Sequence, residues 1–96
     1  MATYSKNEHE VIGELHYIGA PIKITDTIKK QVIAIMLIQD KRVEYIPFEI
    51  LNPDGELMGL SVGNKVLVQF RLKGNRHKQD PNKFFAYNQL IGISKI

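Results

Sequence analysis

Period-two alternation recurs along this chain in segment after segment, and it dictates strands rather than helices. In residues 65–73, Val66, Val68, Phe70 and Leu72 alternate with Lys65, Leu67, Gln69, Arg71 and Lys73. One face of that segment is apolar and the other largely basic and polar. In residues 42–51, Ile46, Phe48 and Ile50 share the face expected to enter the core. Further strands are predicted over residues 11–18, 31–39 and 84–93. Gly13 inside the first predicts a bulge or a sharp bend. Asp40 and Lys41 mark a tight antiparallel turn, and Pro47, which has no N–H, predicts an edge or a bulge on its side of the strand.

Gly19-Ala20-Pro21 breaks the first ladder, and Ile22 and Ile24 are placed to extend it beyond the break. Asn52-Pro53-Asp54 reads as a helix opening, with Asn as the cap and Pro at the first helical position. A short helix is expected over residues 53–60, with Leu57 and Leu60 turned inward. A type I turn over residues 52–55 followed by a short strand is the competing reading. Val62-Gly63-Asn64 is a second turn, and residues 74–83 form a polar, basic loop turning at Asp80-Pro81-Asn82. Three strands, a short helix and two strands make an all-β chain with one short helix, in the order of a five-stranded Greek-key barrel, the OB-fold. It is expected to occupy residues 11–96, with residues 1–10 as a flexible tail. An SH3-like barrel fits these turns less well, and a β-sandwich needs about seven strands.

The length of 96 residues suits one domain, burying roughly 65% of the unfolded chain's surface. Hydrophobic residues at 44% and charged residues at 24% exclude generic disorder, and no heptad pattern supports a coiled coil. There is no cysteine, which excludes a disulfide scaffold, a cysteine nucleophile and a thiolate zinc site and fits a reducing cytoplasm. The longest apolar run, residues 32–38, is far short of the ~20 residues needed to span a bilayer. Residues 1–10 are polar rather than leader-like. A soluble, cytoplasmic protein with no membrane association is expected.

Charge is the main functional clue. The net charge is +3, yet residues 65–83 alone carry +5 and the rest of the chain −2. Basic side chains on one strand face and the following loop attract phosphate and release condensed counterions. Lys73, Arg76, Lys78 and Lys83 are the candidate phosphate contacts, with Arg71 on the strand face. Aromatic residues follow directly. Assigning Phe84, Ala86 and Leu90 to the core turns Phe85 and Tyr87 outward, where bases can stack on them. Tyr45, alternating away from Ile46 and Phe48, is a third stacking candidate. Residues 32–38 are apolar on both faces, with Val32, Ala34, Met36 and Ile38 opposite Ile33, Ile35 and Leu37. A barrel buries only one of them, so a homo-oligomer is expected to cover the other.

Catalytic patterns are scarce. Ser5, Ser61 and Ser94 lack a nucleophile-elbow context, and no Gly-rich phosphate loop is present. His9, His16 and His77 lie in unrelated segments without metal-ligand spacing and read as structural or surface histidines. Glu44 and Glu49, five apart on one strand, point to opposite faces. No enzyme, metal or cofactor is expected. The residues point to single-stranded nucleic acid, and none of them reads a 2′-hydroxyl to separate DNA from RNA. The alternative is an adaptor that docks a protein on the outer face of the second strand.

Several stretches carry a resemblance: Gly13-Glu14-Leu15, Lys30-Gln31-Val32-Ile33, Tyr45-Ile46-Pro47-Phe48-Glu49, the turn Val62-Gly63-Asn64 leading into Lys65-Val66-Leu67-Val68-Gln69-Phe70, and Phe84-Phe85-Ala86-Tyr87-Asn88. Over residues 11–96 the chain resembles small single-domain OB-fold proteins of bacteria, phages and plasmids that are similar to single-stranded DNA-binding proteins. The resemblance implies binding of single strands along a groove with little sequence preference, usually as an oligomer. The chain departs from that family in having no Trp. It also ends Ile93-Ser94-Lys95-Ile96 rather than in an acidic tail, so recruitment of replication enzymes through such a tail is not expected.

Overall fold

The structure, a computed structural model, describes residues 6–96. The strands are β1 (His9–Ile18), β2 (Ile22–Lys23), β3 (Lys29–Gln39), β4 (Arg42–Leu51), β5 (Lys65–Arg76) and β6 (Phe84–Lys95). β1 pairs antiparallel with β5 on one side and β3 on the other, β3 with β4, and β5 with β6. A parallel contact between β4 and β6 closes the ring. Five strands closed in this order, all antiparallel but for that contact, make the OB-fold barrel. β2 is a two-residue strand that pairs Ile22 with Lys30 on the same edge of β3 that β1 occupies up to Ile18 and Ile33. After the break at Gly19-Ala20-Pro21, Ile22 therefore carries the line of β1 onward, while Ile24 already belongs to the turn that follows.

β1 can serve two neighbours because of Gly13. The strand follows β5 through residues 9–14 and β3 through residues 14–18, so it must bend across the barrel between them. A Cβ on Gly13 would lie 2.4 Å from Ile35 Cγ2 and 2.8 Å from the Met36 carbonyl oxygen. The bend expected at Gly13 is therefore a close approach of two backbones, and the bulge falls three residues later. Leu15 pairs with Ile35 and Tyr17 with Ala34, leaving His16 as the extra residue. Leu15, Ile33, Ile35, Phe48, Ile50, Val66, Val68 and Leu90 form the buried core. They are the inward residues of alternating pairs, as the periodicity requires.

The helix expected over residues 53–60 does not form; the described residues contain no helix, and hence none long and apolar enough to cross a membrane. Successive turns replace it, closed by Met58 N–H to Gly55 O at 3.1 Å and Leu60 N–H to Leu57 O at 3.0 Å. Gly55 and Gly59 both sit at φ 79°, a left-handed conformation that no helix interior accepts. Asn52 does not cap a helix either. Its backbone N–H donates to Lys29 O and its side-chain Oδ1 accepts from Lys29 N–H, prolonging the β3–β4 ladder. Leu57 and Leu60 still pack against the core. Asp40 and Lys41 form the two-residue hairpin turn, both at positive φ.

The first strand begins earlier than Val11. β1 starts at His9, and the Asn7 side chain both donates to Leu72 O (2.8 Å) and accepts from Leu72 N–H (3.0 Å). Residues 1–5 of the expected tail lie outside the described residues. Total accessible surface is 7472 Å², against about 5,600 Å² for an average folded chain of this mass. Burial is thus nearer half than the roughly two-thirds expected. Part of the excess lies on the β5–β6 hairpin, which outruns the barrel.

Gly13→Ala is expected to destabilise the fold by about 2–3 kcal/mol through overpacking. Its thermal midpoint falls by roughly 10–20 °C. A shift of only a degree or two in a calorimetric scan would mean that β1 and β3 separate there without penalty.

Candidate nucleic-acid interface

The β5–β6 hairpin positions most of the predicted residues. Its register pairs Lys73 with Tyr87, Asn75 with Phe85 and Arg76 with Phe84. Residues directly opposite in an antiparallel pair share a face. Lys73, Tyr87, Asn75 and Phe85 therefore lie together on the outer face, where the alternation put Phe85 and Tyr87. Phe84 is not core: it is 70% exposed. Its ribbon face is that of Leu90, but here the hairpin has passed the rim and there is no barrel beneath it. Ala86 and Leu72 are exposed for the same reason.

The predicted loop is correspondingly shorter, running from His77 to Lys83. His77 N–H donates to Lys83 O at 2.9 Å. The His77 ring organises the turn, since its Nδ1 accepts from the N–H of Gln79 (3.1 Å) and of Asp80 (3.0 Å). Asp80 Oδ1 then accepts from Asn82 N–H. A hollow of about 370 Å³ lined by Arg76, His77, Lys78, Gln79 and Pro81 opens beside it. Lys83 Nζ stands 5.7 Å from the Phe85 ring centroid, and the His77 ring is 5.9 Å from the same ring. Phe85 thus has a cation and an imidazole as neighbours.

Five predicted cations differ in how they are engaged. Arg71 lies 3.4 Å from Glu8 Oε1, so much of its charge is answered within the chain. Lys73, Arg76, Lys78 and Lys83 make no ion pair among the described residues, and all four are exposed. Tyr45 is 55% exposed on the outer face of β4, one strand away from Tyr87. Pro47, two residues along β4, lines a cleft together with Tyr87 and Lys73.

Two aromatic neighbours were not anticipated. The β1 bulge puts both His16 and Tyr17 outside, next to β3. The His16 ring lies 4.8 Å from that of Tyr45, and Tyr17 is 53% exposed. Strict alternation from Leu15 would have turned Tyr17 inward, and nothing in the residues around it announces the bulge. On β3, Val32, Ala34 and Met36 are half-buried while Ile38 is 70% exposed. No group of three His, Asp or Glu side chains able to hold a metal occurs among the described residues.

A closed OB-fold barrel with a basic, aromatic ribbon at its rim is the class that this geometry defines. Among solved structures it is similar to the dimeric N-terminal domain of the PriB protein from Thermoanaerobacter tencongensis. The match has a TM-score of 0.68 at 19% identity and covers 94% of this chain and 96% of that one. At that identity the likeness is one of fold. No protein-family model and no curated protein matches the sequence.

Substituting His77 by Ala removes the acceptor for two loop amides. Hydrogen exchange at Gln79 and Asp80 is expected to accelerate about tenfold, with barrel amides unaffected. Equal exchange in both proteins would show that the imidazole does not hold the turn.

Proposed function

We propose that this protein binds single-stranded nucleic acid, DNA before RNA, through the β5–β6 ribbon and the adjoining outer face of β4. The observation that carries the reading is the ribbon itself. Lys73, Arg76, Lys78 and Lys83 extend from it with no ion pair among the described residues. Lys73 shares its outer face with Phe85 and the half-buried Tyr87, and Arg76 stands with Phe84 on the other face. Unpaired cations release counterions when phosphate replaces them, and exposed rings stack on bases of any identity. OB-fold barrels hold oligonucleotides against the face and loops at this position. Arg71 contributes less than the other cations because Glu8 already faces it. Tyr45, backed by His16, supplies a further stacking surface.

If three to five phosphates are neutralised, log K falls against log salt with a slope of about −2 to −3.5. Replacing Arg76 and Lys78 together by Ala reduces that slope by about 1.4. Tyr87→Ala weakens binding by about 1–3 kcal/mol with the slope unchanged. Anisotropy of a labelled strand measures both. A slope unaltered in the double variant removes the loop from the site. No binding at any salt concentration leaves the adaptor reading in its place.

The same reading includes a homodimer, supported by an aliphatic groove away from the ribbon. Ile12, Met36, Leu37 and Ile38 line it, with Glu14 and Lys65 at its edge, in a volume of about 270 Å³. A two-fold interface joins a patch to itself, and an apolar centre with one acid and one base at its edge is compatible with that self-pairing. Dimerisation is also what the PriB domain displays. Light scattering at micromolar concentration is expected to give the mass of two chains, and Ile38→Asp the mass of one, still folded, with a melting midpoint that no longer depends on protein concentration. A single-chain mass for the unaltered protein rejects the dimer.

A further inference from the structure

The parallel contact between β4 and β6 amounts to one bridge, Glu49 opposite Gln89. On the rim side of it the two strands diverge and a cleft of about 360 Å³ opens between them. Pro47, Leu72, Ala86 and Tyr87 form its walls, and its polar groups are Glu49, Asn88 and Lys73. Mostly apolar walls with a few convergent polar groups are the make-up of a ligand pocket. Asn88 Nδ2 donates to Pro47 O at 3.0 Å, which fixes the amide and leaves its Oδ1 as the group on offer. The Glu49 side chain is only 24% exposed, and its Oε1 is 3.5 Å from Lys30 Nζ. Its second carboxylate oxygen has no hydrogen-bond partner among the described residues.

An acid here is unexpected in a site that binds phosphates indifferently. Lys30 answers part of the charge at Oε1, but the carboxylate still offers a passing phosphate nothing and gains only where a donor meets its free oxygen. The cleft thus offers a ring-sized apolar slot whose head presents two acceptors, with a lysine at its side. We infer that this cleft takes a single nucleobase bearing an exocyclic amino group, lying along Tyr87 and Pro47 and donating to Glu49 and Asn88 Oδ1. Lys73 meets the adjacent phosphate. Cytosine presents its N4 amino group and adenine its N6 to such acceptors, whereas thymine presents the O4 acceptor and is turned away. A base splayed from the strand, stacked on an aromatic ring and read on its Watson–Crick edge is how single strands gain sequence preference. This inference rests on the nucleic-acid reading above. It adds a preference at one position to a surface that is otherwise indifferent.

The test is a four-way comparison of anisotropy titrations, 12-nucleotide oligo-dC and oligo-dT against the unaltered protein and Glu49→Gln. A glutamine amide both donates and accepts, so it suits thymine O4 as well as cytosine N4. The ratio of oligo-dC to oligo-dT affinity is expected to fall by about fivefold or more in the variant. Loss of a negative charge strengthens both strands alike and cancels in the ratio, as do their intrinsic differences in stacking. As a check independent of any variant, replacing the cytosines by N4,N4-dimethylcytosine lowers affinity for the unaltered protein to the oligo-dT level. Tight binding of both strands with the same ratio in both proteins overturns the pocket and leaves nucleic-acid binding standing. Failure of both strands to bind the unaltered protein overturns both.

Discussion

One strand shared between two neighbours holds this barrel closed. β1 must leave β5 and join β3 within its own length, and it does so where its backbone passes against that of β3 at Gly13. Any side chain at that point would stand between the strands. Because none does, Leu15, Ile33, Ile35 and Val66 converge directly behind the crossing, all without solvent exposure. The turn residues of the β4–β5 connection fasten the same region. Gly63 N–H donates to Leu15 O, and Leu15 N–H to Asn64 O, each at 2.8 Å. Closure, core and the lower loop are thus one cooperative unit.

The ribbon obeys different physics. Past Leu90 the β5–β6 ladder continues pair by pair to Arg76 and Phe84, although there is no longer anything inside for it to cover. Backbone hydrogen bonds keep the strands in register, and Asn7 ties its side chain to Leu72 at the base. Four uncompensated cations repel one another along this arm, so it is held against its own electrostatics. A polyanion laid along it relieves that repulsion as well as finding partners. Arg71, at the root and opposed by Glu8, marks where the compensated part of the surface ends.

Much of this was legible in the chain because local and global requirements agree. Alternation placed Phe48, Ile50, Val66 and Val68 inside, and the hairpin at Asp40-Lys41 followed from the spacing of two apolar runs. Lys73 and Tyr87 came out on one face by parity alone. What escaped were effects that depend on a neighbour far away in sequence. The helix expected after Asn52 was reasonable from its cap and proline, but two glycines at positive φ and the bond to Lys29 took that stretch elsewhere. Phe84 has the parity of a core residue, and only the height of the barrel leaves it outside. Tyr17 was hidden by a bulge that β3 imposes on β1. Glu49, set aside as a lone carboxylate, gained interest only once β6 stood beside it.

The arm's independence from the core bears on how such a protein changes over time. A residue in the barrel is answerable to every strand around it, so substitutions there are tested first by folding. A residue on the ribbon is answerable to its cross-strand partner and to solvent. Lys78, Gln79, Pro81 and Phe85 can therefore drift, or the tip lengthen, with little effect on whether the chain folds. New binding preferences can be sampled at the rim while the barrel stays as it is, and the same separation makes the tip the natural place to graft a foreign loop.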